Sequence, residues 1–249
     1  MKIISWNVNG IRARIKQGFN GAIEQINPDI ICIQEFRARE NQLPKDFLTD
    51  YQHYHSIHEK AGYAGSSVFV KKELAQPTMI KNDYDNGCET GRVCILEFEN
   101  LYLISSYSPN SGGKLEKLDR RIEWENGLTK YISGLRKPVI LCGDLNVAPE
   151  RIDAGIWCLA GCSPEERLAF KDKENLGMTD VFRWLNPNKT EYTWFSNREK
   201  EKKKGLRLDE FLISNSLKEK IKDFKHIYDT DLVCGSDHIP ILMEININD

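Results

Sequence analysis

Val139-Ile140-Leu141-Cys142-Gly143-Asp144-Leu145-Asn146 is an apolar run that ends in a carboxylate and a carboxamide two positions apart. Ile3-Ile4-Ser5-Trp6-Asn7-Val8-Asn9 repeats the design with two carboxamides. Side chains alternate across a strand, so residues i and i+2 share a face. Buried strands ending in charged or amide groups are costly unless a metal ion or polar substrate partners those groups. The pairing points to an enzyme. Its recurrence in both halves hints at an internal repeat.

Further strand-like runs cover residues 29–35, 51–57, 66–71, 93–98, 101–107, 192–195, 208–214 and 239–247, beside 2–9 and 139–146. Most are rich in Ile, Val and Leu with little alternation, as in strands buried on both faces. Leu115, Leu118, Ile122, Leu128, Ile132 and Leu135 give residues 114–135 a helical period. A shorter helix is expected over 18–26, ended by Asn27-Pro28. Another starts after Ser163, with Pro164 at its first position and Glu166 completing a capping box. No Pro/Gly/Ser linker divides the chain, so residues 1–249 read as one domain, a layered α/β sandwich with helices outside the sheets.

The chain is 40% hydrophobic, somewhat low for a globular protein but enough for a substantial core, so disorder is not expected. No stretch approaches a membrane span and the N-terminus runs straight into a strand, so neither membrane insertion nor secretion is expected. Of seven cysteines, Cys32, Cys94 and Cys142 sit in apolar runs as buried thiols. Cys158 and Cys162 lie close together with no histidine nearby, which argues against zinc. A reducing compartment follows, cytoplasmic and nucleoid-associated or nuclear. A net charge of −2 gives no global attraction to nucleic acid but leaves room for a local basic patch.

Acids, amides and one histidine fall at strand ends or adjacent loops. They are Asn7 and Asn9, Gln34-Glu35, Asp144 and Asn146, Asp209, and Gly235-Ser236-Asp237-His238, with Tyr107 and Asn110 ending a further segment. Glu35 and Asp237 are hard oxygen donors suited to Mg²⁺. A lone histidine with two available aspartates fits a carboxylate-oriented imidazole acting on a phosphate. Each piece has a plainer reading. Gln34-Glu35 fits a solvated edge, Gly235-Ser236-Asp237-His238 a capped turn, and Tyr107 a core tyrosine. Their joint occurrence carries the functional reading.

The same segments resemble the exonuclease III type of apurinic/apyrimidinic endonucleases, in the endonuclease/exonuclease/phosphatase superfamily. The matching motifs are Ser5-Trp6-Asn7-Val8-Asn9-Gly10-Ile11-Arg12-Ala13, Pro28-Asp29-Ile30-Ile31-Cys32-Ile33-Gln34-Glu35 and Gly62-Tyr63-Ala64-Gly65. Thr90-Gly91-Arg92-Val93, Tyr107-Ser108-Pro109-Asn110, Gly143-Asp144-Leu145-Asn146-Val147-Ala148, Arg207-Leu208-Asp209 and Gly235-Ser236-Asp237-His238 continue the match across the chain. The resemblance implies a four-layer α/β sandwich, two mixed sheets face to face, with one phosphodiesterase cleft. Glu35 is then the principal Mg²⁺ ligand (Mn²⁺ an acceptable substitute), with Asn7, Asp144, Asn146, Asp237 and His238 lining the metal cleft. By the same resemblance Asp144 is the base that prepares the attacking water, and Asn146 orients that water or stabilises the transition state. His238, held by Asp209, contacts the scissile phosphate, and Tyr107 assists there.

Arg12, Asn110, Trp194, Phe195 and Arg207 are expected to bind substrate; the resemblance implies that Trp194 and Phe195 form an aromatic wall for an extrahelical abasic sugar, although Phe195 taken alone fits core packing at least as well. Residues 198–207 hold six basic residues against Glu199 and Glu201, a loop suited to gripping backbone phosphate. One departure is Phe36-Arg37, where the family places a small or aliphatic residue and a lysine. The expected activity is Mg²⁺-dependent cleavage of duplex DNA 5′ to abasic sites, leaving a 3′-hydroxyl, with 3′–5′ exonuclease or 3′-phosphodiesterase activity, by a monomer. The rivals are a superfamily phosphodiesterase acting on RNA or phosphoinositide, and a catalytically silent binder of damaged DNA.

Overall fold

In a computed structural model, residues 1–82, 84, 90–156, 158–196 and 204–247 are described. They form twelve strands: β1 Lys2–Asn7, β2 Ile30–Gln34, β3 Tyr51–Ser56, β4 Ser66–Lys71, β5 Met79–Lys81, β6 Val93–Glu97, β7 Tyr102–Tyr107, β8 Val139–Asp144, β9 Met178–Asp180, β10 Asp209–Ser214, β11 Ile221–His226 and β12 Ile241–Ile245. Six α-helices accompany them: α1 Ile11–Lys16, α2 Phe19–Ile26, α3 Leu118–Ser133, α4 Pro164–Asn175, α5 Val181–Leu185 and α6 Thr230–Val233. The expected strand at 192–195 is absent; Trp194 makes only isolated bridges to Leu206 and His238.

The strands build two six-stranded sheets, ordered β11-β12-β1-β2-β4-β3 and β5-β6-β7-β8-β10-β9. In each, the third and fourth strands are parallel and all other neighbours antiparallel. Read along the chain, β5 to β10 therefore repeats β11-β12 followed by β1 to β4. The internal repeat exists, but it equates β1 with β7 and β2 with β8. The Asn7/Asn9 and Asp144/Asn146 pairs that suggested it lie on non-equivalent strands.

Strand alternation separates the layers. Ile3 of β1, Ile30 and Cys32 of β2, and Val68 and Val70 of β4 pack between the sheets against Leu103, Ile140, Cys142, Phe211 and Ile213. Their neighbours Ile4, Trp6, Ile31 and Ile33 face outward under Ile11 of α1 and Phe19, Ala22, Ile23 and Ile26 of α2. Leu141 and Ile104 lie under Trp124, Leu128 and Ile132 of α3 and Phe170 of α4 on the other side. The result is four layers, helix-sheet-sheet-helix. Both sheets are covered, which is why their strands read as continuous apolar runs.

Toward one end the intersheet layer turns polar. Gln34 Nε2 donates to Ser5 Oγ at 3.2 Å and Ser105 Oγ at 3.1 Å, and the Ser66 and Ser105 hydroxyls meet at 2.9 Å. All four residues are fully buried, and the network satisfies them where unpaired polar groups would be costly. Beyond it lie the strand ends that carry the acids.

The Ser163 capping box forms as expected: Ser163 Oγ accepts from Glu166 N at 3.2 Å and Glu166 Oε2 accepts from Ser163 N at 3.1 Å. Glu166 Oε1 also accepts from Ser111 Oγ at 2.7 Å, tying α4 to the loop after β7. Ser163→Ala is expected to cost about 1 kcal/mol, lowering the thermal midpoint by about 2–4 °C; calorimetry of the two proteins checks this.

Candidate active site

Both apolar strands stop earlier than their sequences suggest, and the stop shapes the site. β8 ends at Asp144, and Asn146 lies beyond it with φ of 48°; β1 ends at Asn7, and Asn9 has φ of 46°. The members of each pair thus do not share a strand face. Instead each makes the same turn, in which Asn9 N donates to Asn7 Oδ1 and Asn146 N to Asp144 Oδ1, both at 3.0 Å. Gly143 permits the approach to Asp144: at φ of 141°, a Cβ there would lie 1.9 Å from the Ser106 carbonyl oxygen.

Asn7 and Asp144 sit opposite each other across the two sheets, and Asn7 Nδ2 donates to Asp144 Oδ2 at 2.8 Å. Glu35 and Tyr107 form the matching pair, with the Tyr107 hydroxyl donating to Glu35 Oε1 at 2.6 Å. Glu35 holds a left-handed φ of 53°, a conformation that persists in such residues only when the surroundings fix it. Here Gly10 N donates to Glu35 O at 2.9 Å and Phe36 N to Gly65 O at 3.0 Å, clamping the chain on both sides. Arg37 pairs through Nη2 with Glu35 Oε2 and through Nη1 with Asn9 Oδ1 at 2.7 Å, and Asn9 Nδ2 donates to Asp237 Oδ1 at 3.0 Å. Phe36 is buried on the helix side against Phe69 and His55.

His238 Nδ1 meets Asp209 Oδ2 at 2.8 Å, while Nε2 stands 3.8 Å from Asp144 Oδ2. Thr193 Oγ1 accepts from Leu208 N at 2.9 Å and Asp209 N at 3.0 Å and so fixes the approach to Asp209. Burial disfavours a charged imidazole, but Asp209 and Asp144 outweigh it and carry the His238 pKa up to about 10. Burial pushes Asp144 up to about 7, opposed by the His238 cation and reinforced by Asp209. Burial and the Glu35 charge hold Tyr107 far above the ordinary tyrosine range, so it stays a neutral donor.

Glu35, Tyr107, Asn110, Asp144, Asn146, Trp194, Asp237 and His238 line a cleft of about 360 Å³, closed by Leu206, Leu208 and the backbone at Ala160-Gly161. Asn110 Nδ2 donates to Asn146 Oδ1 at 3.2 Å, and Trp194 Nε1 to Asp237 Oδ2 at 3.2 Å. Arg12 is exposed on α1, outside this lining. Residues 197–203, most of the expected basic loop, lie outside the described residues.

Two expected substrate contacts are corrected. Arg207 is 0% exposed: its guanidinium bonds Asp153 at 2.7 and 3.0 Å and Asp180 at 2.7 Å, so it holds the scaffold and cannot touch a ligand. Phe195 is 3% exposed and packs with Val233 and Ile239, leaving Trp194 alone of the pair on the cleft. The two neighbours face opposite ways: Trp194 bridges Leu206 and His238 at the cleft, while Phe195 turns to Val233 and Ile239. Arg37, noted in the sequence only as a departure, is the residue joining Glu35 to Asn9.

Oxygen donors dominate the cleft, and the donors that could hold a hard divalent cation (Glu35, Asp144, Asp237 and the neighbouring carboxamides) suit Mg²⁺ rather than a thiophilic metal. Among the described residues, ligand atoms of Asp144, Asp209 and His238 also converge. Carboxylates able to bind a cation, facing a histidine cation across a narrow gap, are equipped to stabilise a phosphoryl group gaining charge. Set at the mouth of this sandwich, they define a phosphodiesterase. Residues 4–238 match the profile described as the Endonuclease/Exonuclease/phosphatase family, and the chain belongs to that family, whose nucleases depend on a metal ion.

The chain is 41% identical to an exodeoxyribonuclease of Bacillus subtilis (strain 168), covering 99% of this chain and 100% of that protein. It is 38% identical to the DNA repair nuclease APEX1 of Danio rerio, covering 98% of this chain and 81% of the other. Among solved structures it is similar to the 3′ phosphatase NExo from Neisseria bound to a product DNA hairpin, with a TM-score of 0.86 and 25% identity over 99% of each chain.

Proposed function

We propose that the chain is a Mg²⁺-dependent DNA repair nuclease that hydrolyses the phosphodiester 5′ to abasic sites in duplex DNA. It leaves a 3′-hydroxyl and also removes nucleotides or blocking groups from 3′ ends. The observation that carries the reading is the Asp209–His238 pair facing Asp144 across the cleft. The DNA substrate is supported by the names of the exodeoxyribonuclease and DNA repair nuclease relatives and by the DNA-bound neighbour.

In this mechanism Asp144 takes a proton from the attacking water, and Asn146, anchored through Nδ2 to Ser108 O at 2.9 Å, orients that water. His238, held in place and kept protonated by Asp209, donates from Nε2 to a phosphoryl oxygen. Glu35, with Asn7, Asp144, Asn146 and Asp237 around it, would hold the cation; His238, expected to join that set, is committed through both ring nitrogens to Asp209 and the phosphate. Tyr107 fixes the Glu35 carboxylate and donates near the phosphate. A bound Mg²⁺ supplies positive charge against the phosphoryl and departing 3′ oxygens. Trp194, with Leu206 and Leu208, forms the apolar wall for a sugar that lacks its base. Asn110 and Arg12 contact the DNA strand. Residues 1–249 act as one domain and one monomer, in the cytoplasm with the nucleoid or in the nucleus. Among the described residues no helix is long and apolar enough to cross a membrane.

A duplex carrying one tetrahydrofuran abasic analogue tests the reading, because that analogue cannot undergo β-elimination and any cut is hydrolytic. Cleavage 5′ to the analogue is expected with Mg²⁺, with Mn²⁺ substituting, and none with EDTA. No cleavage, with retained hydrolysis of RNA or an inositol phosphate, would move the substrate elsewhere and keep the chemistry.

A further inference from the structure

Beside the cleft, between Ala154 and the start of α4, stand two thiols that the mechanism leaves unused. Cys158 Sγ and Cys162 Sγ are 3.8 Å apart, and both residues are half-buried. The turn between them is closed by Cys162 N donating to Leu159 O at 3.1 Å. Among the described cysteines the other four are buried. Cys32, Cys94 and Cys142 are fully so, inside the intersheet core.

We propose that Cys158 and Cys162 form a reversible disulfide under mild oxidation and that closing it slows the nuclease. Disulfide sulfurs lie about 2.05 Å apart, so the bond draws the Cys158 side of the turn toward α4. That turn is part of the cleft wall: Cys158, Ala160 and Gly161 line the cavity together with Asn146, Trp194, Leu206 and Leu208. Gly161 O accepts from Ala148 N at 2.7 Å, and a Cβ at Gly161 would lie 3.2 Å from the Asn146 carbonyl oxygen, so a shift there reaches the turn that follows Asp144 and carries Asn146.

The thiol chemistry favours Cys162 as the attacking group. Contact with the Cys158 thiol, which also donates to Ala160 O at 2.7 Å, lowers the Cys162 pKa to about 7, with the Arg167 guanidinium adding to the effect. Cys162 also directly precedes Ser163, the N-cap of the twelve-residue helix α4, whose N-terminal dipole stabilises a thiolate. With hydrogen peroxide as oxidant, the Cys162 thiolate attacks one peroxide oxygen and forms a sulfenic acid, and the departing hydroxide takes a proton to become water. Cys158 sulfur then displaces hydroxide from the sulfenic acid, forming the S–S bond, and a second water leaves. Two thiols lose two electrons and two protons, and one peroxide becomes two waters.

The test treats the full chain with hydrogen peroxide, alkylates free thiols, and maps the crosslink by peptide mass spectrometry. A single Cys158–Cys162 disulfide is expected, reversed by dithiothreitol. Unlinked or overoxidised cysteines, or a crosslink through another cysteine, would overturn the proposal. Cleavage of the abasic duplex is measured in parallel. Several-fold slower turnover of the oxidised wild type, restored by dithiothreitol and absent from Cys162→Ser, is expected. A crosslinked protein with unchanged turnover would overturn the regulatory role. The crosslink is read by mass, so its failure is distinct from a failure of the proposed nuclease activity.

Discussion

Asp144→Asn is expected to lower turnover of an abasic duplex by about 10²–10⁴-fold with an unchanged melting profile. The amide keeps the size of the carboxylate and still offers an oxygen to Asn7 Nδ2, now at 2.8 Å. It cannot accept the proton of the attacking water. His238→Ala should fall to a similar level, and the double variant little further, because base and phosphate donor serve one step. The wild-type rate should rise with pH as Asp144 loses its proton, at or below about 7 once a cation stands beside it, and fall as His238 deprotonates near 10. The limb on the acid side should vanish in Asp144→Asn. Single-turnover rates across pH check all of this; a wild-type rate in Asp144→Asn would remove it from the role of base.

The second large effect is on stability. Arg207 lies among Asp153, Asp180 and Glu210, all buried. Arg183 also pairs with Asp153. Burial pushes Glu210 well above the carboxylate range, which leaves Arg207 facing Asp153 and Asp180 as its main charged partners. Arg207→Met removes the cation and leaves those acids uncompensated, an expected cost of about 3–5 kcal/mol, or roughly 10 °C in the thermal midpoint. Arg207→Lys should recover only part, since an ammonium cannot reproduce the fork that bonds both carboxylates. Urea denaturation with cleavage measured per folded molecule separates this from a DNA contact. A substrate-binding arginine would instead leave stability intact and change the salt dependence of binding.

Much of the scaffold was legible because buried strands announce themselves. β1, β2, β4, β7, β8 and β10 are covered on both faces, and their apolar runs survive almost to the residue. β5, β9 and β11 carried no such signal: β5 and β9 are three residues long, and β11 is a charged edge strand. The short helices α1, α5 and α6 are held by tertiary contacts, which a periodicity search does not see. At the site, the strand-end acids and His238 were readable as a set, whereas the turns at Asn9 and Asn146 were not, because a left-handed residue leaves little trace beyond being an asparagine. Arg207 misled for a physical reason. A basic residue beside Asp209 looks like a phosphate contact until the acids of β9 and the 150–154 turn are seen around it.

The duplicated strand order has an outcome for how such a site can exist at all. Each repeat supplies one donor from its first parallel strand, Asn7 or Tyr107, and one acid from the end of its second, Glu35 or Asp144. The hydrogen bonds cross over, Asn7 to Asp144 and Tyr107 to Glu35. Neither repeat on its own completes the set: Glu35 would keep Arg37 and Asp144 would keep the Asn146 amide, but each acid would lose the donor that reaches it from the other sheet. Reactivity here is a property of the seam, and it appears only when the two halves are joined.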